Sequence, residues 1–394
     1  MQSLIWLTST VILSGAAVGA AEPIVVDTKL TASDAEELNE FGDSVSISGT
    51  TAIVGATGTD TLGANSGTAY LFDLSNPDGI TETKLYSPYP ESTNLFGSAV
   101  GVSGTAAIVG EIRGTGGNGD RSGVAYLFPS SSQDEVRTLK SSDAEENDLF
   151  GTSIGISGTY AIVGARGDED YTGAAYLYDF SDLDNIKETQ LVASDGQESD
   201  QFGVSVAISG TTAIAGAYAS DAHGKSSGAV YIYDFSDPEE IIETKLTPSD
   251  AVEGDGFGVS VAVSGTTALV ATRLRANESI ISGSLYLFDI SDLDDIKETK
   301  LLEADETFED YPVVSVGISG TTAILGVAGD EGSAIYMLDF ADLDDIKQTE
   351  LVLDGRDMSE MHGAAVAISG KTSIVGDYMD GSGGAAYLYT TPSP

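Results

Sequence analysis

The chain has 394 residues, with 62 Asp and Glu against 17 Lys and Arg, for a formal net charge of -45. So acidic a surface repels nucleic acid and anionic membranes, which excludes both as partners and disfavours polyanionic ligands. With no cysteine and only two histidines, disulfides are absent and thiolate metal sites and catalytic triads lack their usual parts.

Residues 1–21 carry no charged side chain, and the apolar stretch from Leu4 to Val18 ends in small residues. This predicts a signal peptide cleaved near Ala20 or Ala21, hence a secreted or, in a Gram-negative bacterium, periplasmic protein. The absence of an early Lys or Arg, and Thr8, Ser9, Thr10 and Ser14 within the apolar core, leave an uncleaved membrane anchor as the competing reading. No later segment approaches the roughly 20 apolar residues of a span. A single mature domain is expected over 22–391, followed by a short tail at 392–394.

A Ser-Gly step recurs with its glycine at Gly49, Gly104, Gly158, Gly210, Gly265, Gly320 and Gly370, at spacings of 50 to 55 residues. That period fits one four-stranded blade and predicts an all-β, seven-bladed β-propeller of antiparallel blades. The third repeat shows the division into strands A to D: FGTSIGISG, TYAIVGA, GAAYLYDF and IKETQLVAS. Strand C is apolar on both faces and must be buried between neighbouring blades. Strand A is built of small and β-branched residues suited to the crowded axis. Strand D is polar and carries Lys29, Lys84, Lys140, Lys187, Lys245, Lys297, Lys300 and Lys347 in or beside it, as an outer edge that resists aggregation should. The last repeat stops after its C strand, while a spare D-like segment, IVVDTKLTAS, stands at 24–33. Residues Ile24 to Leu30 are therefore expected to complete the last blade beside Tyr387 and close the ring.

Phe-Gly opens strand A at Phe41, Phe96, Phe150, Phe202 and Phe257, and Gly-Ala ends strand B at Gly55, Gly164 and Gly216. In these motifs, over nearly the whole mature chain, the sequence resembles the FG-GAP repeat proteins, the class that includes the integrin α-subunit propeller. Repeat six departs with Pro312-Val313 and repeat seven with His362-Gly363. The resemblance implies a binding propeller, often with a calcium loop between strands A and B. Here that connection is only Ser-Gly-Thr-Thr or a close variant, so the family's calcium site does not carry over. No cofactor is expected. The weak metal candidates are Asp168 with Asp170 and Asp292 with Asp294, because calcium needs six to eight oxygens in one loop.

Antiparallel strands place the A-to-B and C-to-D turns on one face of the disc and the B-to-C and D-to-A loops on the other. The first set is nearly uniform; the second varies in length and chemistry, as a recognition surface requires. Candidate ligand-binding residues on it are Arg113, Arg166, Asp168, Asp170, His223, Arg273 and Arg275. The tripeptide Arg166-Gly167-Asp168 is expected on an exposed loop, and Asn277 is a glycosylation acceptor in a eukaryote. Asp34, Asp143, Asp195 and Asp250 recur after a Ser in four connectors, where an Asx-turn is the expected role. The leading functional reading is a non-catalytic extracellular recognition or adhesion module for a protein or glycan. The alternative is a propeller hydrolase or lyase using paired carboxylates among those four aspartates.

Overall fold

The computed structural model describes residues 19–20, 23–115, 119, 121–129, 133–276, 279–302, 313–329, 332–353, 362–381 and 383–391; among 274–282 only the backbone is described. Asn277, Pro312 and the tail 392–394 thus lie outside the described residues, as does the Arg275 side chain. Seven antiparallel sheets surround one axis. Their A strands run from Phe41–Ser48, Phe96–Ser103, Phe150–Ser157, Ser205–Ser209, Ser260–Ser264, Val313–Ser319 and Val366–Ser369. Residues from all seven A strands line a narrow central channel of about 230 Å³.

The core lies between blades rather than within one. Seven separate apolar clusters each join two neighbouring sheets, as Leu127 and Leu139 of blade two join Val163 and Tyr176 of blade three. Strand C supplies both sides: in Ala174–Asp179, Ala175 and Leu177 face blade four while Tyr176 and Tyr178 face blade two. A two-faced apolar strand is buried on both sides, as its sequence requires.

Phe-Gly and Gly-Ala have a joint geometric cause. A Cβ on Gly164 at the end of strand B would lie 2.0 Å from the carbonyl oxygen of Gly203, in the Phe-Gly of the next blade. Nothing larger than hydrogen fits, so adjacent sheets approach backbone to backbone. The preceding Phe is fully buried, as with Phe150 packed edge-on to Tyr178 at 6.1 Å.

The ring closes as expected in kind but over a shorter stretch. Thr28–Leu30 pair antiparallel with Ala386, Tyr387 and Leu388 as the outer strand of blade seven. Ile24 and Val25 instead lie parallel to Leu351 and Val352 on the outer strand of blade six. The reason is packing: Ile24 and Val26 rest on the apolar cluster between blades six and seven, so the segment straddles the junction. Gly19 and Ala20, inside the expected leader, also lie parallel to that strand, beside Lys347 and Gln348. Among the described residues no helix is long and apolar enough to cross a membrane.

Candidate functional site

The two faces differ in backbone as well as sequence. On the uniform face each A-to-B turn is made by a glycine at φ near +58°, such as Gly49 and Gly265, where the left-handed conformation costs glycine little. On the opposite face side-chain-bearing residues adopt positive φ. Among the described residues every such non-glycine lies in a B-to-C or D-to-A loop, including Ser199 at 72°, Gln201 at 55° and Ser226 at 51°. Strain of this kind costs on the order of 1 kcal/mol or more per residue and concentrates at functional surfaces.

Those three residues wall a cleft of about 990 Å³ at the junction of blades four and five. Its sides come from two D-to-A connectors, around Asp200 and Gly254, and from the B-to-C loops that carry Tyr218, Lys225 and Arg273. Asp200 is buried and accepts the Gln197 backbone N–H at 3.0 Å; burial raises its pKa above the usual carboxylate range. Acids and bases therefore share one concave wall, an arrangement that suits a polar ligand.

Of the sequence-selected residues, the structure brings Arg273 into this cleft, half-buried. His223 stands on the same loop as Tyr218 and Lys225 but outside the cleft lining, exposed, its Nε2 3.0 Å from the Thr247 hydroxyl. Arg113 is exposed on the same face in blade two, apart from the cleft lining. Arg166 approaches Gln201 from blade three at 3.5 Å. The backbone of Arg275 forms a small extra hairpin, Leu274–Ala276 with Ser279–Ser282.

Two expectations need correction. Asp168 is not displayed on an exposed loop. Its side chain is buried and accepts a 2.6 Å hydrogen bond from the Tyr176 hydroxyl, at the start of a tight turn in which Glu169, Asp170 and Tyr171 all adopt positive φ. Asp170 in that turn points to solvent with φ 57°. Second, the recurring connector aspartates act through side-chain partners more than Asx-turns. The strand C hydroxyls of Tyr70, Tyr176, Tyr231 and Tyr286 donate to Asp34, Asp143, Asp195 and Asp250 respectively. Lys84, Lys245 and Lys300 bind the second oxygens of Asp34, Asp195 and Asp250 at 2.6 to 2.7 Å and lie over the same tyrosine rings. Lys245 and the Tyr231 hydroxyl hold Asp195 below the usual carboxylate range. These four acids sit one to a blade, each engaged at home. Carboxylates converge at Asp143 and Asp168, both on Tyr176, with Asp148 nearby, pushed up by burial to about 6, and at Glu40 and Asp43, both on the Thr57 hydroxyl.

The other metal candidates occupy a turn on the uniform face. Asp292 accepts the Asp294 backbone N–H at 3.0 Å, an Asx-turn. Among the described residues no group of three or more His, Asp or Glu side chains is arranged to hold a metal ion.

Sequence reasoning passed over Glu111. It ends strand B of blade two, paired with Phe96 as Ala56 is with Phe41 and Ala165 with Phe150. It is 1 % exposed, and burial pushes it up to about 7 against the opposing pull of Ser87 and Asn94. A glutamate in an alanine's place was the available signal.

Among solved structures, the Cps50 (Swd1) β-propeller domain of Myceliophteria thermophila superposes with a TM-score of 0.56 over 93 % of this chain and 99 % of that one, at 11 % identity. That likeness is one of fold alone. No curated protein matches the sequence. The FG-GAP repeat model matches residues 25–72, 81–128, 134–178, 186–233 and 242–288, stopping short of the two repeats whose Phe-Gly is replaced. The chain is thus a member of the FG-GAP repeat family, with the seven-bladed propeller that its repeats predict.

Proposed function

We propose that the protein is an exported, non-catalytic recognition module whose variable loop face binds an extracellular protein or glycan. The observation that carries this reading is the cleft of about 990 Å³ between blades four and five, walled by loops that differ from blade to blade and held open on strained backbone at Ser199, Gln201 and Ser226. A rigid disc with one uniform face and one variable face supports binding through the latter. Export follows from the apolar leader and accords with a cysteine-free chain stabilised by its own large core.

The test is to probe the immobilised chain with a glycan panel and with secreted proteins, beside the variant Lys225→Glu/Arg273→Glu. At least one binder is expected, weakened tenfold or more by the double variant and unaffected by Asp292→Asn on the opposite face. Silence across both panels overturns the proposal. The competing hydrolase or lyase draws support from paired carboxylates such as Asp143 and Asp168 on Tyr176; turnover abolished by Asp143→Asn would favour it.

A further inference from the structure

Blade two lacks a part that other blades supply from within. In blades one, four, five and seven a strand D lysine stands opposite the strand C tyrosine, as Lys84 is paired with Tyr70, Lys245 with Tyr231, Lys300 with Tyr286 and Lys29 with Tyr387, whereas blades three and six carry Gln190 and Glu350 there. Each lysine ammonium lies 5.2 to 5.7 Å from the ring centroid and bonds an aspartate. In blade two the residue paired with Tyr126 is Thr138. The connector position seven residues ahead of the strand A phenylalanine, aspartate in Asp34 and Asp250, is Tyr89. The ring remains, and a carboxylate returns from another strand as Glu111.

A cavity of about 290 Å³ opens there, lined among others by Tyr89, Glu91, Asn94, Glu111, Tyr126 and Thr138. Among the described residues no lysine, arginine or histidine lines it. The Asn94 amide donates to Glu111 Oε1; Oε2 is buried with no partner at full hydrogen-bond geometry, the Ser87 and Tyr126 hydroxyls standing near the carboxylate. A buried carboxylate with so few hydrogen bonds is costly in its ionised form. Tyr89 stands exposed at the rim.

We propose that this cavity binds a primary alkylammonium group, which takes the place over Tyr126 that the chain's own lysine holds in blades one, four, five and seven. Two carboxylates, Glu91 and Glu111, match the charge, and the faces of Tyr89 and Tyr126 suit a cation on an apolar stem. The site is separate from the blade four to five cleft, so neither proposal depends on the other.

The experiment titrates the full chain with 1-aminopentane, with 1-pentanol and with a neutral-capped lysine peptide, following Tyr89 and Tyr126 ring resonances. Saturable binding of the amine and not the alcohol is expected, with at least tenfold loss in Glu111→Gln. Thr138→Lys is expected to abolish binding while keeping the fold, because its own ammonium fills the cavity. A peptide that binds tighter than the free amine points to a partner's lysine side chain; equal affinities point to a small amine. Absence of saturation, or binding that both variants leave unchanged, overturns the site.

Discussion

Replacing Glu111 by Gln alters how stability varies with pH, and the burial of this one carboxyl sets both the sign and the size. In the unfolded chain it ionises near its ordinary value of 4.5; in the folded protein it does so at about 7. Between those values the unfolded state holds fewer protons, so stability falls as pH rises through the window and levels off on either side. The displacement, at about 1.4 kcal/mol per pH unit, amounts to about 3 kcal/mol. Glutamine carries no such dependence, so Glu111→Gln is expected to equal the wild type near pH 4 and exceed it by about 3 kcal/mol at pH 8. Urea unfolding of both proteins at pH 4, 6 and 8 measures this, and taking the difference cancels the slope of the many other carboxylates. A bound alkylammonium group favours the ionised form and should narrow the gap at pH 8. Parallel pH profiles for the two proteins would refute the claim that burial of Glu111 outweighs the hydrogen bonds it receives.

Closure of the ring predicts that Leu30→Ala, 4 % exposed, behaves like Leu85→Ala at the equivalent place in blade one. Each is expected to cost about 2–4 kcal/mol in chemical unfolding, and a near-zero effect of Leu30→Ala alone would deny the N-terminal strand its role. Charge repulsion predicts that NaCl raises Tm, since screening acts over about 8 Å at physiological ionic strength. Millimolar calcium chloride should add nothing beyond NaCl of matched ionic strength; an excess rise would reveal a specific cation site.

Blade count, strand order and the identity of the closing strand were legible because they rest on periodic features: the Ser-Gly step, the two-faced strand C and the missing last D strand. Where the N-terminal segment crosses from blade six to blade seven was not legible. Ile24 and Val25 have the same β character in either sheet, and only the cluster around Tyr387 and Leu351 decides between them. The connector aspartates show the same limit. Asp34 and Asp195 read as turn formers from their neighbours in sequence, but their partners, Tyr70 and Tyr231, lie 36 residues away, beyond strands A and B and the loop that follows them. The cleft required the third dimension too, since it is built from two connectors and two loops of different blades.

The departures from the repeat carry the most information about function, because they fall at one structural position. Blades one and three put a buried Phe against an alanine at the end of strand B, Phe41 against Ala56 and Phe150 against Ala165. Blade six keeps the pair apolar with Val313 against Val327. Blade seven makes it polar, with His362 and Asp377, both buried, 3.2 Å apart through Nδ1 and the Tyr389 hydroxyl 3.4 Å from Nε2. That replacement supplies its own partner. Blade two makes only one side polar, setting Glu111 against Phe96 and leaving one carboxylate oxygen with no partner at full hydrogen-bond geometry. Local rules broken without full internal compensation mark places where stability has been given up for another end. The loss falls in blade two, which like blades three and six lacks the lysine opposite its strand C tyrosine, and the two omissions together leave a cavity with the acceptors and ring of a lysine site and no lysine among its described lining.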